Sequence, residues 1–138
     1  MLGKLMRKDH MKRKDVRIMV VDDLSGMRSI LKNTLMVLGY GDIVEARSGK
    51  EALQKLEEED FTLIISDWTM PNMSGIEFHG ALKDKPELKK VPFLMVTAMA
   101  ERVNVIEAIQ AGVSHYMVKP FSAEALQDKL SSMLGVVS

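Results

Sequence analysis

The chain contains 138 residues, of which 46% are apolar, and it has no cysteine, so disulfides, thiolate metal sites and thiol catalysis are excluded. No apolar stretch approaches the roughly 18 residues of a membrane span, and the length suits one domain with a substantial core, which makes the cytoplasm the default compartment. The net charge of zero hides an asymmetry, because residues 1–15 carry six basic and two acidic side chains. We expect 1–15 to form a basic flexible leader without an assigned function and 16–138 to form the folded domain.

Beyond residue 16, short apolar runs alternate with segments of helical periodicity. The runs are rich in branched side chains and bounded by polar residues, which predicts buried strands, and the segments between them predict amphipathic helices. The predicted order is strand 17–21, a helix that ends at Gly39, strand 43–46, a helix opened by a capping box at 48–51, strand 62–66, a helix over 74–82, strand 93–96, a helix over 103–112, strand 116–118 and a helix over 122–134. This alternation indicates an α/β fold, a doubly wound five-stranded parallel sheet with five helices on its two faces. Strand orders 2-1-3-4-5 and 3-2-1-4-5 both fit the pattern.

Polar side chains follow four of the five predicted strands, at the points where these strands end. Asp22 and Asp23 follow the first strand, Asp67 the third, Thr97 the fourth and Lys119 the fifth. Because the carboxyl ends of parallel strands share one edge of an open α/β sheet, we expect these five side chains to meet in one pocket. Each residue alone has an ordinary explanation as a helix cap or a turn residue, but their order along the strands predicts a phosphoryl-accepting site.

Three converging carboxylates need a compensating cation. Two ionised carboxylates about 4 Å apart repel by roughly 4 kcal/mol at an effective dielectric constant of about 20. A divalent cation with oxygen ligands relieves that repulsion, and we expect Mg²⁺ to be held by Asp22, Asp23, Asp67 and the main-chain carbonyl of Thr69. Asp67 is the expected nucleophile because it stands alone after a central strand, which leaves Asp22 and Asp23 as cation holders.

The hydroxyl and the ammonium then have roles toward the phosphoryl group. A phosphoryl group on Asp67 carries three acceptor oxygens and about −1.5 to −2 charges. We expect Lys119 to bind one oxygen as a point charge and the Thr97 hydroxyl to donate to another. Pro120 would stiffen the loop that holds Lys119, and the Lys119–Pro120 bond is a candidate for the cis form.

Other function classes find little support in the sequence. The histidines show no mutual spacing suited to a metal, and neither a dinucleotide-binding glycine loop nor a Walker loop follows any predicted strand. A phosphatase of the haloacid dehalogenase type would need a second aspartate where Thr69 stands, and its motif belongs after the first strand. A flavodoxin-type electron carrier would need a phosphate-binding loop rich in serine, threonine and glycine, which the sequence lacks.

Segments 20–23, 66–73, 95–98 and 118–121 resemble the signature stretches of the receiver domain of two-component response regulators. The resemblance covers about residues 16–135 and is nearest to the single-domain chemotaxis regulators. It implies a flavodoxin-like sheet of order 2-1-3-4-5. It also implies that a partner histidine kinase phosphorylates Asp67 with Mg²⁺ bound, with Asp23, Asp67 and the Thr69 carbonyl as direct ligands and Asp22 acting through water.

The resemblance further implies a conformational output. Thr97 would move toward the phosphoryl group, Tyr116 would turn inward, and the surface of the fourth helix, fifth strand and fifth helix would change its partner preference. Ala100, Tyr116 and Lys129 keep the pattern of that surface. The implied partners are a histidine kinase, a flagellar motor switch protein and a phosphatase. The chain itself would be a monomeric switch that is not a turnover enzyme and binds neither nucleic acid nor membrane.

Departures from the chemotaxis pattern leave the output open. Thr69 stands where asparagine is usual, Met99 stands where glutamate is usual, and Glu101 and Arg102 replace two lysines. Motor binding, a role as a phosphate sink and a role as a relay intermediate therefore all fit the sequence.

Overall fold

Five parallel strands form the central sheet of the computed structural model, which describes residues 11–98 and 102–137. The strands are β1 (Arg17–Val21), β2 (Asp42–Ala46), β3 (Leu63–Asp67), β4 (Phe93–Thr97) and β5 (His115–Val118). They lie in the order β2-β1-β3-β4-β5, and every neighbouring pair is parallel. The predicted fold class and the strand order 2-1-3-4-5 are confirmed. The chain adds β2 on one side of β1 and then adds β3, β4 and β5 on the other side.

Four helices connect the strands, a fifth follows β5, and together they cover both faces of the sheet. They are α1 (Ser25–Val37), α2 (Gly49–Glu58), α3 (Gly75–Lys83), α4 (Arg102–Gln110) and α5 (Ala123–Leu134). Because side chains alternate along a strand, Ile18 and Val20 of β1 pack with α1 and α5, whereas Met19 and Val21 pack with α2, α3 and α4. The central strands are apolar on both faces because both faces are covered.

The helix ends carry the signals that the sequence predicts. The Ser48 hydroxyl accepts a hydrogen bond of 3.1 Å from the Glu51 N–H at the start of α2, but the Glu51 carboxylate accepts from the Arg47 N–H and not from Ser48, so the predicted capping box forms only in part. Ser74 and Glu77 form a reciprocal capping box at the start of α3. Gly39 has a φ of +100°, which a residue with a side chain rarely adopts, and it terminates the turn after α1.

A second, two-stranded sheet is an addition that the sequence analysis does not predict. Its strands, Met11–Lys12 and Val136–Val137, pair in parallel. A short 3-10 helix, Arg13–Asp15, leads from the first of them toward β1. This pairing joins the start of the described chain to the segment that follows α5.

Arg13 attaches the same segment to the end of α1. Its guanidinium donates to the main-chain carbonyl of Leu38 and lies over the ring of Tyr40, 5.9 Å from the ring centroid. Residues 11–15 of the expected leader are thus packed against the domain. Residues 1–10 of that leader, together with Met99, Ala100 and Glu101, lie outside the described residues.

Candidate functional site

The carboxyl ends of β1 and β3 place three carboxylates side by side. Asp67 is the last residue of β3, and Asp22 and Asp23 follow β1 directly. One carboxylate oxygen from each aspartate lies within 4.8 Å of the other two. The structure therefore brings together the acids that the sequence predicts to converge, and three oxygens at this spacing suit a divalent cation.

Lys119 lies between two of these carboxylates. Its Nζ is 3.3 Å from Asp22 Oδ2 and 3.6 Å from Asp67 Oδ1. The other oxygen of Asp22, Oδ1, accepts a hydrogen bond of 3.0 Å from the Leu24 N–H. Both oxygens of Asp22 are thus engaged by the protein, whereas the ammonium of Lys119 is shared between two acids.

Opposing effects act on the pKa of the Asp67 carboxyl. Burial raises the pKa of Asp67, and the neighbouring charge of Asp22 raises it further. The Lys119 ammonium and the Trp68 N–H lower the same pKa, yet the net direction is upward because burial is the largest contribution. An added cation would favour the ionised form, which is the form that acts as a nucleophile.

The remaining predicted residues lie around this cluster. Thr97 is the last residue of β4 and is 1% exposed, and its main-chain carbonyl accepts a hydrogen bond of 2.8 Å from the Lys119 N–H. The Lys119–Pro120 peptide bond is cis. Thr69 lies in the exposed loop two residues after Asp67. All of these residues therefore belong to the same rim of the sheet.

A cavity of about 240 Å³ opens beside the cluster, between α1 and the segment after β5. Asp67 and Lys119 contribute its polar lining, while Ile30, Leu31 and Phe121 contribute apolar walls. Ile30 is 60% exposed, although it lies within the apolar spacing of α1, because this part of the helix faces the cavity mouth. The cavity therefore places an apolar wall next to the charged groups of the cluster.

The family model described as response regulator receiver domain matches residues 18–131. This chain belongs to the response regulator receiver domains. It is 46% identical over 120 residues to the chemotaxis protein CheY-3 of Vibrio cholerae, which covers 87% of this chain and 92% of that protein. It is 42% identical over 121 residues to the chemotaxis protein CheY1 of Helicobacter pylori, covering 87% and 98% of the two chains. The solved structure of the Vibrio cholerae chemotaxis protein CheY4 superposes with a TM-score of 0.79 at 34% identity, covering 86% of this chain and 98% of that one.

Family membership assigns this receiver to two-component signalling, and its relatives are of the chemotaxis type. Receiver domains act as signalling switches and bind Mg²⁺ at an acidic aspartate cluster, and Asp22, Asp23 and Asp67 form such a group here. Among the helices that the structure describes, none is both long enough and apolar enough to pass through a bilayer.

Gly75 and Arg28 support the receiver's cluster, and the sequence analysis misses both. A Cβ atom on Gly75 would lie 2.3 Å from the main-chain oxygen of Asp67, so only glycine lets α3 start this close to β3. The Arg28 guanidinium donates to the Asp22 carbonyl at 2.8 Å and to Glu45 Oε1 at 3.1 Å. In the sequence, Arg28 shows only its place in a helix and Gly75 only its place in a capping box. Neither feature reveals the contacts with Asp22 and Asp67.

Tyr116 of β5 contacts the residue that follows Asp67. Its half-buried ring meets Trp68 edge to face, with centroids 6.3 Å apart and planes at 88°. Lys129 on α5 lies near His115, where its charge adds to burial in lowering the pKa of that histidine. Tyr116 and Lys129 are thus on neighbouring elements, as the sequence predicts, while Ala100 lies outside the described residues.

Proposed function

We propose that this receiver is a phosphorylation-activated switch that accepts a phosphoryl group from a histidine kinase on Asp67. The proposed receiver unit spans residues 16–138. The observation that carries the proposal is the placement of Asp67, whose carboxylate lies within 4.8 Å of oxygens from Asp22 and Asp23 and 3.6 Å from Lys119 Nζ. Such a site combines an acid that can be phosphorylated with charges that can bind both a cation and a phosphoryl group.

The donor set fits Mg²⁺. Asp23, Asp67 and the Thr69 carbonyl are the proposed direct ligands, and Asp22 acts through water because both of its oxygens already have protein partners. Among the residues that the structure describes, Lys119 is the only cation paired with these three carboxylates, so the cluster keeps an excess of negative charge that a divalent cation would neutralise. When bound, Mg²⁺ supplies charge neutralisation at the transferring phosphoryl group.

The proposed transfer is a displacement at phosphorus. An oxygen of ionised Asp67 attacks the phosphorus of the kinase's phosphohistidine, and a bond between aspartate oxygen and phosphorus forms. The bond between phosphorus and imidazole nitrogen breaks, and its electron pair stays on the imidazole, which leaves as a neutral ring because its other nitrogen carries a proton. Lys119 then binds one phosphoryl oxygen, and the buried hydroxyl of Thr97 donates to another.

We further propose that the output surface consists of α4, β5 and α5. In the register of the sheet Thr97 lies opposite Val118 and Met95 lies opposite Tyr116, so a shift of Thr97 acts on the strand that carries Tyr116. Ile106 and Ile109 of α4 are 44% and 66% exposed, which suits a surface that binds a partner. A change from 1% to 99% of the active state would require about 5.5 kcal/mol of differential interaction with the phosphoryl group.

Two candidate roles differ in whether the phosphorylated receiver binds a target protein. The names of the relatives favour a role in chemotaxis. We propose for that role the setting that the family resemblance implies, a relay in the cytoplasm with a flagellar motor switch protein as the target and a phosphatase that resets the signal. Met99, Glu101 and Arg102 depart from the chemotaxis pattern and favour the second candidate, a phosphate sink or relay intermediate. Binding of the phosphorylated receiver to a flagellar switch peptide supports the first candidate, and rapid phosphoryl uptake without binding supports the second.

Trp68 offers a direct test of phosphorylation, because it is the only tryptophan, is 6% exposed and adjoins Asp67. Its fluorescence should respond to Mg²⁺ and then to acetyl phosphate. Asp67→Asn should abolish the second response and the phosphoprotein seen by mass spectrometry. Asp60→Asn, at an exposed acid before β3, is the matched control and should respond like the wild type. Phosphoprotein formation by Asp67→Asn would refute the assignment of the acceptor.

A further inference from the structure

A second cavity lies at the rim of the sheet opposite to Asp67. It encloses about 590 Å³ and includes the first residues of β4 and β5, Phe93 and His115. Asp67 and Thr97 lie at the other ends of their strands, and a five-residue strand is roughly 15 Å long. This distal cleft, which we define by His79, Lys83, Lys89, Lys90 and His115, is therefore separate from the phosphoacceptor site. Its volume is in the range of small-molecule pockets, which hold about 300–1,000 Å³.

The distal cleft concentrates positive charge in a chain whose net charge is zero. Three lysines and two histidines line it, and no acidic residue does. Within the described part of the chain, Lys83, Lys89 and Lys90 take part in no salt bridge, whereas Arg17, Arg28, Lys32, Arg47, Lys55, Lys85 and Lys119 each pair with an acid. The lining therefore presents cations whose charge is not neutralised by the protein. An anion is the complementary ligand.

Two of the basic side chains are held in place before any ligand binds. Lys83 Nζ donates to the Ala111 carbonyl at 3.0 Å, which leaves two of its three N–H groups for a ligand. The adjacent Gly112 has a φ of +89°, and a Cβ atom there would lie 3.0 Å from Lys83 Nζ. The imidazole of His79 packs edge to face against Phe93 with centroids 4.8 Å apart, and its buried Nδ1 has no hydrogen-bond partner among the described residues. A held ammonium and a packed imidazole lose less freedom when a ligand binds, which reduces the entropic penalty of binding.

The rest of the lining is apolar. Val91, Pro92, Phe93 and Met133 form a surface next to the basic groups. A simple inorganic anion would leave that surface uncovered, whereas a flat ring carrying phosphate groups would use both halves of the cleft. We propose that the distal cleft binds a nucleoside phosphate, with the phosphates at Lys83, Lys89 and Lys90 and the base against the partly exposed side chains of Val91, Pro92 and Met133.

Titration with ADP in buffer free of Mg²⁺ tests this proposal. Burial lowers the pKa of both His79 and His115, so a bound anion should favour their protonated forms and shift their imidazole NMR signals saturably. Lys89→Met/Lys90→Met should weaken binding by about tenfold or more, because each lysine supplies a charge-assisted contact. Lys14→Met/Lys50→Met is the matched control, because it changes the net charge by the same amount as Lys89→Met/Lys90→Met. It removes two exposed lysines that form no salt bridge in the described structure, and it should bind ADP like the wild type.

Several results would overturn the proposal. The first is the absence of a saturable shift of the His79 and His115 imidazole signals. The second is equal weakening of ADP binding in Lys89→Met/Lys90→Met and in Lys14→Met/Lys50→Met. The third is binding of adenosine as tightly as ADP. Asp67→Asn should leave ADP binding unchanged, since the distal cleft lies at the opposite rim, and loss of binding in this variant would place the ligand at the carboxyl rim instead. Because the measurement needs neither Mg²⁺ nor phosphoryl transfer, its failure would leave the proposed switch function untouched.

Discussion

Replacement of Gly75 by alanine should lower the stability of the receiver and displace Asp67, its proposed phosphoacceptor. The added Cβ would lie 2.3 Å from the Asp67 oxygen and 2.9 Å from the Trp68 Cα, and both are main-chain atoms that cannot rotate away. It would also lie 2.8 Å from the Met95 sulfur, whose flexible side chain can yield. Relief therefore requires a shift of α3 away from β3. Overpacking of this kind lowers the free energy of unfolding by about 1–3 kcal/mol.

Gly80 provides a matched control in the same helix. A Cβ atom there meets nothing within 4 Å, so Gly80→Ala should raise the free energy of unfolding by about 0.5–1 kcal/mol through helix propensity alone. Urea unfolding followed by circular dichroism measures both changes. The rate of phosphoprotein formation with acetyl phosphate should fall by about tenfold or more in Gly75→Ala, because the shifted main chain carries Asp67, and should be unchanged in Gly80→Ala. Equal stability and equal uptake in the two variants would refute the argument from close packing.

Two further predictions concern a positioning residue and a buried imidazole. Arg28→Met should weaken Mg²⁺ binding by about tenfold in a Trp68 fluorescence titration, because the main chain of Asp22 loses the hydrogen bond from Arg28. Lys32→Met removes only a contact to Glu45 and should leave the Mg²⁺ affinity unchanged. Equal Mg²⁺ affinities in the two variants would count against a positioning role for Arg28. Burial and the charge of Lys83 lower the pKa of His79 below its usual 6.5, so the unfolded chain binds more protons and the free energy of unfolding falls as the pH drops below about 6.5. His79→Gln should reduce that loss between about pH 7 and pH 5 in urea unfolding, and an unchanged pH dependence would contradict the assignment.

The sequence predicts the acidic cluster well because it depends on a general property of parallel sheets. Strand ends can be located from apolar runs, and the carboxyl ends must share one edge, so Asp22, Asp67 and Lys119 were expected to meet before any distance was known. The order of the strands is a different matter. Apolar periodicity shows that a strand is buried but does not show which strand is its neighbour, and the family resemblance supplied that choice.

The features that escaped prediction are contacts between segments with no local signal. Two-residue strands have no periodicity to detect, and the pairing of Met11 with Val136 joins positions at opposite ends of the described chain. Gly75 looks like an ordinary residue of a capping box, and its close approach to Asp67 follows only from the angle at which α3 leaves the loop. The spacing of Ile106 and Ile109 predicts α4 correctly, yet the same spacing does not reveal that both side chains are exposed.

The proposed switch can be examined through the charges around Lys119. The ammonium lies 3.3 Å from Asp22 and 3.6 Å from Asp67, so the two carboxylates attract it about equally before phosphorylation. Phosphorylation adds roughly one negative charge on the Asp67 side, and at about 4 Å this is worth roughly 4 kcal/mol at an effective dielectric constant of about 20. A charge-assisted hydrogen bond from Thr97 adds about 1.5–3 kcal/mol. Only the part of each contribution that differs between the two states counts toward the roughly 5.5 kcal/mol that a nearly complete switch requires, and Lys119 already lies 3.6 Å from Asp67 before phosphorylation. The proposed hydrogen bond from Thr97 forms only after phosphorylation, so its whole value counts. Because Lys119 leads through Pro120 toward α5 and Thr97 ends β4 beside β5, the two contributions act on different elements next to the proposed output surface.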